Sequence, residues 1–269
     1  MIYKFFLVIQ AILLSFALSS CNSGGSEHTE KGLTVTFAAT HQQTPDATLQ
    51  VPSVPAGVRT FLNSEGVPIT LTKAYLVIWS IELKSDCTTT LFTQLWQPIF
   101  NRFLLPAAIA QTETTSTQLG VSNVIDLLAA DLTEIELGTI HPPPGDYCGM
   151  TVELRKADDN TQRLPTDINM INRLLYLEGQ YIPLGNDQPT TFKVDIAKAP
   201  LPRDLALASS LILSSDHRTA RLVVSVHYDR WFDALDLSAL NDEVQQDWLL
   251  HNLLSSLHDK NSIIDESLE

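Results

Sequence analysis

Residues 73–84 read KAYLVIWSIELK, and this stretch decides the fold. Its apolar side chains recur at every second position, at Tyr75, Val77, Trp79, Ile81 and Leu83. Because successive side chains of a β-strand point to opposite faces, this alternation predicts a strand with one apolar face. Leu76 and Ile78 lie on the opposite face, so we expect the first half of the strand to be covered on both sides.

Further segments follow the same period of two, and turns rich in proline, glycine, asparagine and aspartate separate them. They comprise residues 33–37, 57–62, 67–71, 124–128, 132–137, 147–155, 170–178, 190–196, 211–214 and 218–228. Many short strands at such spacings are typical of two packed sheets. The sequence therefore predicts a mainly β chain, with a single antiparallel β-sandwich domain in the style of immunoglobulin or transthyretin over residues 32–258.

Residues 87–121 interrupt this pattern and predict a helical or irregular insertion. The apolar run at 91–110 contains Pro98, Arg102 and Pro106, which exclude a continuous membrane-spanning helix. Two short helices lying over one end of a sheet would account for the run. Alternatively, residues 91–110 form a surface that docks on the bilayer or on a partner protein of the envelope.

A C-terminal helix is predicted over residues 241–258, ahead of a disordered acidic tail at 259–269. The apolar residues of the predicted helix fall on one stripe, at Val244, Trp248, Leu249, Leu253 and Leu257. This spacing predicts that the whole stripe packs against the sandwich.

The first 20 residues predict export from the cytoplasm. Lys4 precedes an apolar run from Phe5 to Leu18, which is too short to span a bilayer and is typical of a secretory signal peptide at residues 1–20. The residues Leu18-Ser19-Ser20-Cys21 resemble the lipobox of bacterial lipoproteins, in which the cysteine is acylated and becomes the mature N-terminus.

A lipid anchor at Cys21 would keep the protein on a membrane, because several acyl chains together make release negligible. Asn22 follows the cysteine, which by resemblance to proteobacterial sorting rules implies an outer-membrane lipoprotein facing the periplasm or the cell surface. Residues 21–31 are small and polar and predict a flexible tether. The alternative is an ordinary signal-peptidase site with a soluble periplasmic product.

Cys87 and Cys148 are the cysteines that remain once Cys21 carries lipid. An even number of cysteines in an oxidising compartment predicts a disulfide, here closing a loop of about 60 residues worth about 4 kcal/mol in the chain-entropy model. Two unrelated buried thiols are the alternative.

Charge and motifs limit the classes of function. The chain holds 17 lysine and arginine residues against 31 aspartate and glutamate residues, a net charge of −14, which argues against a nucleic-acid partner. The sequence contains no G-x-S-x-G, H-E-x-x-H, G-x-x-x-x-G-K-[ST] or C-x-x-C motif, which disfavours an enzyme. A hydrolase assembled from distant residues stays an alternative. The clusters at 158–160 and 167–169 are interpreted as turns rather than as calcium loops.

Histidine and tryptophan side chains are the remaining candidates for binding. The histidines are His28, His41, His141, His217, His227, His251 and His258. No two of them have the spacing that prearranges a metal site, so each is expected to be solvated or to cap a backbone group, although His227 could pool with a histidine from a loop. Trp79 and Trp248 are expected in the core, whereas Trp231 follows a strand end and is a candidate exposed aromatic for ligand binding.

The order of several short phrases resembles the methanobactin-operon periplasmic copper-protein (MbnP-like) family. These phrases are 61–66 (FLNSEG), 144–147 (PGDY), 177–179 (LEG) and 228–232 (YDRWF), followed by His251-Asn252. The resemblance implies an exported β-sandwich, lipidated in some members, that handles copper and in some cases works with a di-haem partner. The M-x-W-x-W phrase of the family is replaced here by residues 170–174, MINRL.

Together these patterns predict a lipid-anchored binding or interaction module of the cell envelope. A periplasmic copper-binding lipoprotein is the first alternative, with its metal ligands unknown, and an envelope hydrolase is the second.

Overall fold

The fold is taken from a computed structural model, which describes residues 32–44, 56–85, 114–198 and 200–260. In chain order its elements are β1 (Thr34–Gln42), β2 (Arg59–Leu62), β3 (Pro68–Lys84), β4 (Gln118–Leu119), β5 (Asn123–Asp126), β6 (Ile135–Ile140), β7 (Gly145–Leu154), β8 (Leu175–Tyr181), β9 (Thr190–Ile196), β10 (Leu201–Leu213), β11 (Thr219–His227), α1 (Glu243–Ser255) and β12 (Leu257–Asp259). Two short 3-10 turns, Tyr228–Arg230 and Leu237–Ala239, connect β11 to α1.

The strands form two sheets, which confirms the predicted mainly β sandwich. The first sheet has the order β12-β11-β1-β6, and the second has the order β10-β7-β3-β8-β9, with β2, β4 and β5 also pairing to β3. The pairs are antiparallel except β1 with β11, which run parallel from Thr34 opposite Thr219 to Gln42 opposite His227. That parallel pair places the first and the penultimate strands side by side.

β3 confirms the strand predicted at 73–84 and extends it, because the segments at 67–71 and 73–84 form one strand rather than two. Its register shifts after Leu71 and again after Ile78, which are β-bulges. The β3 residues in the main core are Ile69, Leu71, Ala74, Leu76, Ile78, Ile81 and Leu83. The prediction of one continuous apolar face is therefore wrong beyond the second bulge, since Val77 and Ile81 belong to clusters on opposite sides of the sheet.

The outer side of the second sheet carries a smaller core, as predicted for the first half of β3. Val77 packs there with Val124, Ala157, Met170 and Tyr176. The segment between β7 and β8 supplies two of these side chains and covers the sheet. Its turns are held by side chains, since the backbone N–H of Asn160 donates to Asp158 Oδ1 at 2.9 Å and that of Ile171 donates to Asn169 Oδ1 at 3.0 Å.

The second half of the chain departs from the sequence prediction in two places. β10 spans Leu201–Leu213, far longer than the predicted strand at 211–214. The sequence pattern missed most of this strand because its residues are largely exposed at a sheet edge and show no clear alternation. The insertion predicted at 87–121 ends earlier, since β4 already pairs with β3 at 118–119. Residues 86–113 lie outside the described part of the chain.

The C-terminal helix is confirmed but is shorter than predicted. It ends at Ser255, and Leu257 and His258 lie in β12 instead, paired with β11. The helix buries Leu249, Leu250 and Leu253, while Val244 and Trp248 are 64% and 56% exposed, so placing both on a buried stripe was wrong. No described helix is both long and apolar enough to cross a bilayer.

Candidate functional site

A groove opens between β10 and β11 on the side of the sandwich. The chain leaves the second sheet at Leu213, turns through 214–218 and enters the first sheet at Thr219, so the two strands do not pair with each other. The groove has a volume of about 400 Å³ and is lined by both strands and by Asp259 of β12. It exists because consecutive strands belong to different sheets.

One wall of the groove is an open strand edge. β12 pairs with β11 only from Val224 to Val226, so among the described residues Thr219–Val223 have no strand partner on this side. The N–H of His227 donates to Ser256 O toward β12, at 3.3 Å. Because alternate residues of a strand point their N–H and C=O groups the same way, those of Thr219 and Arg221 point into the groove.

Apolar side chains and basic groups line the groove together. Leu207, Leu211 and Leu222 supply its apolar surface, and His217 and Arg221 lie on its rim. Arg221 Nε donates to Glu134 Oε2 at 2.9 Å on the outer face of the sheet. Asp259 also belongs to the lining, and Glu134 pairs with Arg221, so the groove carries charges of both signs. Such an edge suits an extended segment with apolar side chains.

β12 closes one end of the groove. The side chain of Asp259 is 3% exposed, and its Oδ2 accepts a hydrogen bond from the backbone N–H of Ala208 at 3.3 Å. This carboxylate joins the edges of the two sheets where β10 passes β12. Beyond Asp259 the groove runs alongside residues Thr219–Leu222 of β11, which β12 does not reach.

Serine, histidine and aspartate all line this groove, as the hydrolase alternative requires. They are Ser209, Ser210, His217 and Asp259. The His217 ring, however, forms no hydrogen bond with either serine in the described structure. Its backbone N–H donates to Ser214, and its backbone C=O accepts from the N–H of Ser214. A serine nucleophile needs a base within hydrogen-bond reach, so the groove lacks the geometry of a hydrolytic centre in the described residues.

A buried polar cluster lies between the sheets at the end of β1. It comprises His41, Arg59, Asp131 and Tyr228, which are 7% exposed or less. Arg59 Nη2 lies 3.3 Å from Asp131 Oδ1, and the Tyr228 hydroxyl donates to Asp131 Oδ2 at 3.0 Å. Arg59 Nε also donates to Leu127 O at 3.2 Å. The sequence marks only His41 among these residues as a candidate, because the four are far apart in the chain and meet only through the fold.

Burial controls protonation in this cluster. It lowers the pKa of the His41 imidazole and raises the pKa of the Tyr228 hydroxyl. His41 is therefore neutral at pH 7. Of the two roles expected for it, it has that of a cap on a backbone group, since the side chain is fully buried and its Nε2 lies 2.9 Å from Ala129 O. The cluster is closed to solvent, and its hydrogen bonds and ion pair link β2, the segment after β5 and the end of β11.

Among the described residues, the fold brings His227 and His258 together, with their ring centroids 4.1 Å apart. His227 lies on β11, as predicted, whereas its partner comes from β12 rather than from a loop. His258 Nδ1 lies 3.0 Å from Ser256 O, and burial lowers its pKa. Gln42 Nε2 lies 3.2 Å from His227 Nε2 and can donate to it.

The ring nitrogens of these two histidines are partly engaged within the protein. Gln42 engages the Nε2 of His227, and among the side-chain nitrogens of His258 the buried Nε2 alone is left without a hydrogen bond in the described structure. No group of three histidine, cysteine, aspartate or glutamate side chains suited to a metal occurs in the part of the chain that the structure describes. Copper binding therefore stays a prediction from the sequence resemblance.

Trp231, the predicted exposed aromatic, is fully buried. Its Nε1 donates to Ser256 Oγ at 2.9 Å, and the side-chain amide of Asn252 donates to Trp231 O at 3.2 Å. The 3-10 turn after β11 swings this ring inward under α1, so the prediction of a surface binding residue was wrong. Its role is to pack the helix onto the sheet.

The predicted anchor and disulfide fall largely outside the described residues. Cys21, Cys87, the tether at 21–31 and the surface at 91–110 are among the residues not described. Cys148 lies on β7, with its Sγ 3.7 Å from Lys84 O and 3.9 Å from Ser85 O. The disulfide therefore stays a prediction.

Comparison with family models and with characterised proteins finds no match to this chain. One solved structure, MbnP from Methylosinus trichosporium, aligns over 73% of this chain and 75% of its own, with 12% sequence identity and a TM-score of 0.30. This weak likeness does not place the chain in the family of that protein.

Proposed function

We propose that this protein is a lipid-anchored interaction module of the cell envelope, which binds an extended polypeptide segment by strand addition in the groove between β10 and β11. The observation that carries the proposal is the open edge of β11 beside an apolar groove of about 400 Å³. Main-chain hydrogen bonds from such an edge supply affinity, and side-chain pockets supply selectivity.

The arginines beside the groove favour an acidic partner. Arg221 belongs to the lining, where Glu134 pairs with it and Asp259 adds a carboxylate, and Arg218 is exposed in the turn that leads into β11. An incoming strand with acidic side chains is attracted here, whereas a basic strand is repelled. The leucines of the groove favour apolar residues at alternate positions of that strand.

Two synthetic nonapeptides test this assignment, one alternating isoleucine with glutamate and one alternating isoleucine with lysine. We expect the glutamate peptide to bind at least about tenfold more tightly than the lysine peptide at low salt, because the arginines beside the groove attract glutamate side chains and repel lysine side chains. Fluorescence anisotropy of labelled peptides measures both affinities.

The charge-reversing variant Arg218→Glu should weaken binding of the glutamate peptide about threefold to tenfold. Arg203→Glu is the matched control, since Arg203 is also exposed on β10 but lies outside the groove, and it should leave binding unchanged. Equal affinities for the two peptides, or equal effects of the two variants, would remove the groove as the binding site.

The anchor and the disulfide belong to the same proposal. The Sγ of Cys148 lies close to the carbonyl of Ser85, and the two peptide units from Ser85 to Cys87 span at most about 7 Å, so a bridge is compatible with the position of Cys148. A lipid on Cys21 would hold this domain at the membrane through the tether at 21–31.

Intact-mass measurement of the protein purified from membranes tests both features. We expect a mature chain that begins at Cys21 and carries acyl groups, and a tryptic peptide pair joining Cys87 to Cys148 that separates on reduction. An unmodified amino terminus, or free thiols at both positions in freshly isolated protein, would contradict the respective assignment.

A further inference from the structure

We propose that the histidine pair, His227 with His258, is an acid-sensitive contact: when the pair takes up protons, β12 separates from β11 and the open edge of β11 becomes longer. The separation does not depend on the proposed function, whereas its effect on peptide binding rests on it. β12 pairs with β11 over three residues, Leu257–Asp259. So short a strand at a sheet edge can open while the rest of the sandwich stays folded.

The two rings lie on the outer face of the first sheet, because the neighbouring Val226 and Leu257 point into the core. Their centroids are 4.1 Å apart and their planes meet at 39°. His258 Nδ1 lies 3.0 Å from Ser256 O, and since a carbonyl oxygen only accepts, Nδ1 carries the proton and Nε2 the lone pair. That Nε2 is buried and has no hydrogen-bond partner in the described structure.

Neutral groups and paired charges surround the two rings. Gln42 Nε2 lies 3.2 Å from His227 Nε2, and the hydroxyls of Thr40 and Ser225 lie in register with His258 on adjacent strands. The charged groups on the elements packed against the pair are already engaged, and they are Asp259 with Ala208, Asp229 with Thr44, Arg230 with Asp233, and Glu134 with Arg221 and Lys260. A proton on the pair therefore adds a charge that has no partner of its own.

Burial makes the contact depend on pH. It lowers the pKa of His258 and outweighs the Ser256 carbonyl and the Asp259 charge, which both favour the protonated ring. Once β12 has separated, the ring is in water, where the pKa of a histidine is about 6.5. The separated state therefore binds more protons, so closure is fully favoured above about pH 6.5 and weakens as the pH falls toward the lowered value. A second proton on His227 adds repulsion between two stacked cations.

Separation of β12 would change the groove in two ways. The edge of β11 that is open at Thr219–Val223 would extend to His227, whose N–H donates to Ser256 O while β12 is in place. The carboxylate of Asp259 would leave the lining. A longer edge with less negative charge suits the extended acidic segment of the proposed function, so that segment should bind more tightly in acid.

Amide hydrogen exchange of the mature full-length chain, in buffer with a metal chelator, tests the separation. The amides of Ser225 and His258 report it, because these two residues lie opposite each other and hydrogen-bond across the strand pair. After correction for the intrinsic pH dependence of exchange, we expect their opening equilibrium to rise up to about tenfold between about pH 7.5 and 5.5. The Leu177 amide, in the second sheet, should change by less than about twofold.

The variant His258→Phe keeps a ring in place that takes up no proton, so the response of the Ser225 amide should fall below about twofold. His251→Phe is the matched control, because His251 is exposed on α1, and it should leave the response unchanged. If His258→Phe does not fold, the imidazole signals of His258 in the unaltered chain take its place. That ring should then titrate below about pH 6.5.

Three results would overturn the inference. An opening equilibrium that is the same at both pH values means that no proton is linked to the separation. A response that persists in His258→Phe means that another group titrates. An equal response of the Leu177 amide means that acid loosens the whole sandwich and not β12 alone.

Binding of the isoleucine–glutamate peptide separates this inference from the proposed function. If both hold, the peptide binds the unaltered chain up to about tenfold more tightly than His258→Phe at about pH 5.5, and binds the two proteins equally at about pH 7.5. If the amides respond as expected and no peptide binds at either pH, the separation stands and the proposed function falls. If the amides do not respond and the peptide binds both proteins alike, the inference falls and the proposed function stands.

Discussion

Replacing Asp131 with alanine should lower the free energy of unfolding by about 3–5 kcal/mol. The substitution leaves the Arg59 guanidinium, whose side chain is 1% exposed, without its buried counter-ion. It also removes the acceptor of the Tyr228 hydroxyl. Water cannot reach this part of the sandwich to compensate, so most of the desolvation cost of the charge appears as lost stability. Urea unfolding with a constant m-value measures the change.

Asp247→Ala is the matched control. Asp247 also binds a cation, Lys198, at 3.1 Å, but its side chain is 61% exposed, so we expect a loss of no more than about 0.5 kcal/mol. The double variant Arg59→Met with Asp131→Ala should lose less than the sum of the two single variants, because it removes both charges together. Equal losses for Asp131→Ala and Asp247→Ala would show that the cluster does not hold the sheets together.

Trp231→Ala should have a loss of similar size, about 3–5 kcal/mol. The ring is fully buried, and its removal leaves a cavity where the 3-10 turn, α1 and β12 meet. Trp231→Phe keeps most of the volume and loses the hydrogen bond to Ser256, so a smaller loss of about 1–2 kcal/mol is expected. Thermal and urea unfolding report both values.

Trp248→Ala provides the comparison, because the same deletion is made on a side chain that is 56% exposed. It should cost less than about 1 kcal/mol. A Trp231→Ala protein that is as stable as Trp248→Ala would contradict the buried role and would restore Trp231 as a candidate binding residue. Peptide affinity of the Trp231→Phe variant should stay unchanged, since the ring lies away from the groove lining.

The sequence predicts the class of fold well because the period-two pattern reports burial directly. It predicts faces less well, since the bulges at Leu71 and Ile78 of β3 shift the alternation without leaving a glycine or proline as a marker. The exposed strand β10 was recognised only at its end for a related reason. A strand with little buried surface has no apolar period to detect.

The groove between β10 and β11 could not be predicted from short sequence patterns. The groove depends on the chain changing sheets between Leu213 and Thr219, and no motif encodes that choice. Trp231 shows the same limit, because the direction of a side chain after a strand end is set by the turn that follows it. The two histidines in contact, His227 and His258, are 31 residues apart and meet only because β12 returns to β11.

The parallel pairing of β1 with β11 has a consequence for how the molecule is built. Paired residues of the two strands, such as Gln42 and His227, lie 185 positions apart in the sequence, so this pairing cannot form until almost the whole polypeptide is present. Pairings so distant in sequence make folding slow. During synthesis from the N-terminus, the edge of β1 that pairs with β11 stays unpaired until β11 has been made. Delayed folding of this kind would suit the export that we propose for this chain, because an exported polypeptide can cross the membrane while it is still extended.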